Sequence, residues 1–532
     1  MGKTLGKFET FQELSLKHPL SIFGILPRFM YIFDVLIKNQ RFMNLNTINS
    51  ILLYGYFKKL FDMKKLLFVA IFAVSITACF KDSNINVDPN RSTTVDPALL
   101  FSGASTQFSL LRVAELTWPV ALMNQMWASG GRWGLAQAQY DQTRVRSAWG
   151  RTYTDVLKNL VVAIDVAEKT QPVNKNAIAQ CKILMAFAYA QTSLLWGDIP
   201  FSEAATGKVD LPKFDKQQEV LTGCIALLDQ ALGSIDPAAK GIGAPNDLYY
   251  GGDMTKWRKF ANSLKLRILF SMVDADPSKG ATIGQLIAGG NLISSNADAM
   301  LFKYFNQPGR QNPRFSFTAI FRGGVQSDWY CSKPVYDLLV SLNDPRIPYF
   351  YQPGPDAKLN EYIALNSVET YTTKSALVNM NLLRAELPEV SFSYSEQLLF
   401  EAEAIARGFV PGGFDAATTR LKAGVKESLI SFGVPTAQAD TYIATIPTLT
   451  ATNFRTILAQ QQYLDLFMRP VEGWVQHRRS GSVGQEIPAM STPTGAPVAG
   501  LVRRLLYRSE EVSSNPNTPS GITLDTPQWF DK

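Results

Sequence analysis

The sequence predicts a mostly α-helical chain, and three stretches carry that expectation. In RTYTDVLKNLVVAIDVAEK (residues 151–169) the apolar Tyr153, Leu157, Leu160, Ile164 and Ala167 recur at the 3.6-residue period of a helix with one buried face. The run AIAQCKILMAFAYAQTSLLW (177–196) is apolar on nearly every side, the pattern of a central helix surrounded by protein. MTKWRKFANSLKLRILFSMV (254–273) places Trp257, Phe260, Ala261, Leu264 and Ile268 on one face, with Arg258, Lys259, Lys265 and Arg267 mostly off it on a solvated or ion-paired face. At 532 residues there is chain enough for several average domains or one large helical one.

From the N-terminus, the first segment with a clear physical meaning is MKKLLFVAIFAVSITACFKDSN, which begins at Met63. A basic pair, Lys64 and Lys65, precedes an apolar core from Leu66 to Ile76 and a small-residue site before Cys79, the order of an export signal. That core is shorter than the roughly 20 residues that span a bilayer. Ile76-Thr77-Ala78-Cys79 resembles the bacterial lipobox, in which the Cys thiol is acylated and the chain is cut before it. The expected division is an upstream extension of spurious origin (1–62), a lipoprotein signal peptide (63–78), a lipid-anchored tether (79–97) and a helical binding domain (98–532). The net charge of +7 is concentrated in residues 1–78, so the remainder is nearly neutral and gives no reason to expect a nucleic-acid partner. Three cysteines remain after Cys79; Cys181 and Cys224 lie in helical apolar patterns and read as buried thiols.

Further helices follow in order. Ser393 and Glu396 form a capping-box pattern opening YSEQLLFEAEAIARG, closed by Gly408. Asp415 and Gly433 bracket another helix with Leu421, Val425, Leu429 and Phe432 in register. Successive antiparallel pairs suggest a tetratricopeptide-like helical-pair superhelix with long irregular ligand-facing loops, although no 34-residue consensus repeats. The irregular stretches are 128–147, 303–331, 344–392 and 480–499.

Most catalytic chemistries lack their parts. His477 is the one histidine after Cys79, there is no GxSxG to receive its help, and no HExxH, CxxC, GxxxxGK[ST] or GxGxxG occurs. Paired carboxylates remain the open route. Glu401 and Glu403 face different directions on a helix and Glu510 and Glu511 are adjacent, so neither pair is recommended by its spacing. The expectation is a protein that is not an enzyme and uses no cofactor and no metal.

Collinear motifs then point to a family. NVDPNRSTTVDPALLFSGA (86–104), LLWGDIPFSEA (194–204), DLYYGGDMTKWRKFANSLKLRI (247–268), NDPRIPYF (343–350), YSEQLLFEAEAIARG (394–408) and GWVQHRRSG (473–481) together resemble the SusD/RagB nutrient-binding outer-membrane lipoproteins of Bacteroidetes. RLLYRSEEVSSN (504–515) is similar to the family's Arg-x-x-Tyr-Pro-x-x-Glu-x-x-x-Asn, with Arg508 where Pro is usual. The resemblance implies a cell-surface lipoprotein anchored at Cys79, acting as lid to a SusC-like TonB-dependent transporter and delivering an oligosaccharide or peptide. A surface glycoside hydrolase and a structural subunit of a transporter complex are the alternatives. These motifs read as structural, with Arg504, Tyr507, Glu511 and Asn515 tying a loop to the core.

Ligand contacts are expected in the irregular stretches, where aromatic rings stack on sugar C–H faces and polar side chains bond hydroxyls. The candidates are Trp127, Arg132, Trp133 and Tyr140 in QMWASGGRWGLAQAQYDQTR, Tyr304, Arg310, Asn312 and Arg314 in KYFNQPGRQNPRFSF, and Arg322, Asp328, Trp329 and Tyr330 in FRGGVQSDWY. Trp133 and Trp329 are the foremost single positions.

Overall fold

A computed structural model describes residues 59, 95–129, 145–323, 327–366, 370–479, 486–488, 490–491, 496–498 and 501–531, the side chains of 146 and 320–322 excepted. The chain divides into two units, Met1–Thr93 and Thr94–Lys532, and everything below concerns the second. Cys79 and the signal-like segment lie outside the described residues. Among the described residues no helix is long and apolar enough to cross a membrane.

Helix α1 (Pro97–Leu110) opens where Asp96 accepts from the Ala98 N–H and Pro97 takes a first-turn position that needs no N–H donor. A π-helical turn (Leu111–Leu116) carries it into α2 (Thr117–Met123). A second π-helical turn (Thr152–Leu157) joins α3 (Val145–Arg151) to α4 (Lys158–Lys169). Then come α5 (Lys175–Trp196), α6 (Gln217–Ser234), α7 (Met254–Met272) and α8 (Lys279–Ala288). The second half holds α9 (Pro313–Arg322), α10 (Lys333–Ser341), the single turn α11 (Ile347–Phe350), α12 (Tyr394–Ala406) and α13 (Gly413–Ser431). It ends with α14 (Thr436–Thr445), α15 (Phe454–Asp465), α16 (Pro470–Arg479) and α17 (Ser509–Ser514).

Helices adjacent in sequence pack as pairs, α5 on α6, α7 on α8 and α12 on α13, the architecture of a tetratricopeptide-like stack. Helix α5 is the axis: all of it from Asn176 to Trp196 is buried except Lys182, as an all-round apolar run requires. It stops at Gly197, whose φ of +92° a side chain would resist. On α7 the apolar stripe is buried as expected, and the basic residues are paired. Lys259 meets Asp298 at 2.9 Å, Lys265 meets Asp229 at 2.5 Å and Arg258 donates to the Ile235 carbonyl. Arg267 is also ion-paired, to Glu396 at 2.7 Å, but is buried. Cys181, Cys224 and Cys331 are all buried free thiols.

The stretches read as irregular are partly ordered. Residues 303–331 contain α9, whose start signal is ordinary: Asn312 accepts from the Arg314 N–H and Pro313 follows it. Short antiparallel strands, β1 (Ala128–Ser129), β3 (Trp329–Tyr330), β4 (Tyr351–Gln352) and β5 (Leu377–Val378), form a sheet in the order β1-β3-β5-β4. Strand β2 (Met300–Phe302) pairs with β6 (Glu389–Phe392). Two- to four-residue strands give no alternation to read. Their order also brings together segments more than two hundred residues apart.

Buried ion pairs cross the helical layers. Arg112 meets Glu389 at 2.6 Å and Glu472 at 2.8 Å, and Arg469 bridges Glu396 and Asp465. Arg479 and Arg407 both hold Glu403. Glu396 therefore completes no capping box; Ser393 caps its N–H, but its carboxylate turns to Arg267 and Arg469. The C-terminal motif ties as expected. Arg504 donates to the Trp196 carbonyl and to Tyr507, Tyr507 to the Asp198 carbonyl at 2.7 Å, and Asn515 to the Pro212 carbonyl at 2.9 Å.

Candidate functional site

The end of the first π-helical turn, α2, α3, the start of α9 and β3 line a half-open cavity of about 350 Å³. Trp118, Phe317 and Trp329 supply its aromatic walls, and Glu115, Ser147 and Arg314 its polar ones. The three rings interlock. Trp118 meets Phe317 at 4.6 Å and Trp329 at 5.1 Å edge-on, while Phe317 stacks over Trp329 at 6.0 Å. Phe317 is half-buried and Trp118 and Trp329 almost wholly buried, so Phe317 is the most exposed of the three residues.

Two of these rings leave polar groups unmatched: among the described residues neither the Trp118 nor the Trp329 indole N–H has a partner. An orphaned buried donor costs about 1–3 kcal/mol. Local rules broken together at one place are characteristic of functional sites. The π-helical turn contributes differently. Its extra residue per turn turns Arg112 inward to Gln191, Glu389 and Glu472 while Val113, Ala114 and Glu115 face the cavity. Glu115 is neutralised by Arg151 and accepts from Ser147 at 2.5 Å.

The predicted residues are distributed unevenly around this cavity. Trp329 and Arg314 line it. Trp127, expected in an exposed loop, is fully buried; its indole donates to the Phe467 carbonyl at 3.1 Å and its ring lies 5.2 Å from Trp329. It therefore backs the cavity instead of lining it. Asn312 is buried as the cap of α9 and donates to the Leu387 carbonyl. Tyr304 is half-buried, its hydroxyl 2.8 Å from that of Ser109, and Tyr330 is buried in β3. Arg310 is exposed and stacks 4.1 Å over Phe305, apart from the cavity, and Asp328 is half-buried. Arg132, Trp133 and Tyr140 lie outside the described residues, as does the side chain of Arg322.

Sequence reasoning missed Trp118 and Phe317. Trp118 sits in ELTWPVALM, which reads as core, and Phe317 in a stretch taken for loop. The signal available was Asn312-Pro313, a helix start that sets Phe317 and Arg314 three residues apart on one face.

The carboxylates considered for catalysis are tied elsewhere. Glu403 is clamped by Arg479 and Arg407, Glu401 by Arg420, Glu510 by Arg508, and Glu511 accepts from Trp149 and Asn515. Burial, with Arg478 and Arg503 nearby, depresses His477 to about 3, and neither ring nitrogen has a partner among the described residues. No metal-binding group of His, Cys, Asp and Glu occurs among the described residues.

Paired helices with an aromatic cavity at one place define a helical-repeat protein. The profile of the SusD-like family described as "starch-binding associating with outer membrane" matches residues 89–502, and the chain belongs to this SusD/RagB family. Among solved structures a chitin-binding protein is similar over 82% of this chain and 100% of its own, with 22% identity and a TM-score of 0.68. A SusD-like protein from Bacteroidetes has 20% identity, the same two coverages and a TM-score of 0.71. A SusD homologue from Bacteroides fragilis has 21% identity, again with 82% and 100% coverage, and a TM-score of 0.69. No curated protein matches the chain.

Proposed function

We propose that the protein is a cell-surface glycan-capture lipoprotein which binds a sugar residue in the aromatic cavity and hands the chain to a SusC-like TonB-dependent transporter, for which it acts as lid. The observation that carries this reading is the cavity itself. It is of the size that takes one pyranose unit, walled by rings that match sugar C–H faces and edged by an acid, a hydroxyl and a guanidinium. Membership of a starch-binding, outer-membrane-associated family and the likeness to a chitin-binding protein support glycan over peptide as the ligand. The lipobox-like sequence at Cys79 supports anchoring of a domain beginning near residue 98.

The test is a titration of the folded chain against a panel of oligosaccharides, with product analysis on the same samples. Saturable binding without turnover is expected, weakened about tenfold by Phe317→Ala, since losing one aromatic contact of about 1.4 kcal/mol is a factor of ten in affinity. Release of products would favour a glycoside hydrolase. Binding to a co-purified transporter with no glycan binding would favour a purely structural subunit.

A further inference from the structure

Among the described residues Glu115 is the one carboxylate on the wall of the aromatic cavity, and it is gripped from two directions. Arg151 donates through Nη1 to one carboxylate oxygen and the Ser147 hydroxyl donates to the other at 2.5 Å. Arg151 is itself held by Asp155 at 3.1 Å and by the Gln107 side chain, so Glu115 cannot turn away without breaking that network. The two π-helical turns set up the arrangement. The first carries Glu115 near its end, and the second starts directly after Arg151 and supplies Asp155. Turns of this kind are frequent where function needs a side chain re-aimed.

An ionised carboxylate has about four acceptor positions, and Arg151 and Ser147 take one on each oxygen. One position per oxygen is left, on a side chain that is only partly buried. The rest of the wall offers little else to a hydroxyl hydrogen. Apart from Ser147, its other side chains are apolar or can only donate, as the Trp118 and Trp329 indoles and the Arg314 guanidinium do. A pyranose lying with a C–H face on an aromatic ring turns its equatorial hydroxyls outward, toward the edge of the cavity, and each brings a hydrogen that needs an acceptor.

We propose that Glu115 is the specificity-determining residue of the cavity: its two remaining acceptor positions take the hydrogens of two neighbouring hydroxyls on a neutral pyranose whose C–H face lies on Phe317. Hydrogen bonds from a hydroxyl to a carboxylate are shorter and about twice as strong as those between neutral groups. Because Arg151 and Ser147 already fix the carboxylate, little ordering is left to be done on binding. This rests on the cavity being the glycan site.

Methyl pyranosides test it: those of glucose, galactose, mannose and xylose, the 2-, 3- and 4-deoxy analogues of whichever binds the full chain most tightly, and the charged methyl glucosaminide and glucuronide. Loss of either of two adjacent hydroxyls is expected to weaken binding to the wild-type chain about tenfold, and loss of the third to have little effect. Glu115→Gln is expected to weaken the parent sugar about tenfold while leaving its two sensitive deoxy analogues nearly unchanged, so that the series flattens. A merely structural role for Glu115 would weaken parent and analogues alike, and that result overturns the assignment. Should Glu115→Gln not fold, the deoxy series on the wild-type chain decides alone. Equal affinity across that series, or preference for either charged sugar over every neutral one, overturns the role given to Glu115 while leaving glycan capture standing. Binding of no glycan at all, in this series or among the oligosaccharides, overturns both.

Discussion

Single buried side chains set much of this protein's response to pH and mutation. Glu403 would be raised by burial, but the charges and hydrogen bonds of Arg479 and Arg407 outweigh that and hold it at about 2. Its folded value lies below its unfolded one, so it contributes stability above about pH 4.5 that is lost as pH falls toward 2, on the order of 3 kcal/mol in all. The urea midpoint of the wild-type chain should therefore drop more steeply between pH 5 and pH 2 than that of Glu403→Gln. Asp344 and Arg346 form a pair with no exposed side-chain surface, at 2.5 Å. Asp344→Ala leaves the guanidinium uncompensated and should cost about 3–5 kcal/mol, seen as a lower urea midpoint at neutral pH. At this scale the sequence was only partly legible. It offered Trp329 and Arg314 as cavity residues because aromatics and arginines in an irregular stretch draw attention. The same rule drew Trp127, which packs against Phe467 in the turn after α15, more than three hundred residues away.

At the scale of elements, periodicity carried the long helices well, since α5, α7, α12 and α13 each bury a face or a whole surface set by their own residues. It failed for α9 and for the two-residue strands, whose existence depends on partners distant in sequence. The helix pairs are also constrained at their close approaches. At Gly284 of α8 a Cβ would overlap the Phe409 carbonyl oxygen just beyond α12. Because backbone cannot swing aside, Gly284→Ala should displace α8 and cost about 1–3 kcal/mol, measured by thermal or urea unfolding. Gly233, near the end of α6, has nothing within 4 Å of its would-be Cβ, and Gly233→Ala should be neutral or slightly stabilising in the same assay.

For the whole molecule, the proposed anchor makes a separate prediction. Cells expressing the chain and fed a labelled fatty acid should incorporate the label, and Cys79→Ser should abolish incorporation without altering glycan affinity of the purified domain. Both outcomes follow from placing attachment and recognition in different parts of the chain. The helical class and the family were visible in the motifs. The make-up of the cavity was not, because it depends on which side chains of α2, α9 and β3 folding brings together.

The C-terminal stretch has a temporal consequence. Leu505 donates to the Leu195 carbonyl, Trp196 to the Leu506 carbonyl, Trp474 to the Val502 carbonyl and Gln528 to the Leu195 carbonyl, so the last thirty or so residues close over the end of the central helix α5. A nascent chain cannot make those closures until residues 502–528 have been added. Contacts this distant in sequence form late and slowly. The end of α5 thus stays uncovered until that stretch is present, and a version ending before about residue 500 should be a substrate for proteases under conditions in which the full chain resists them.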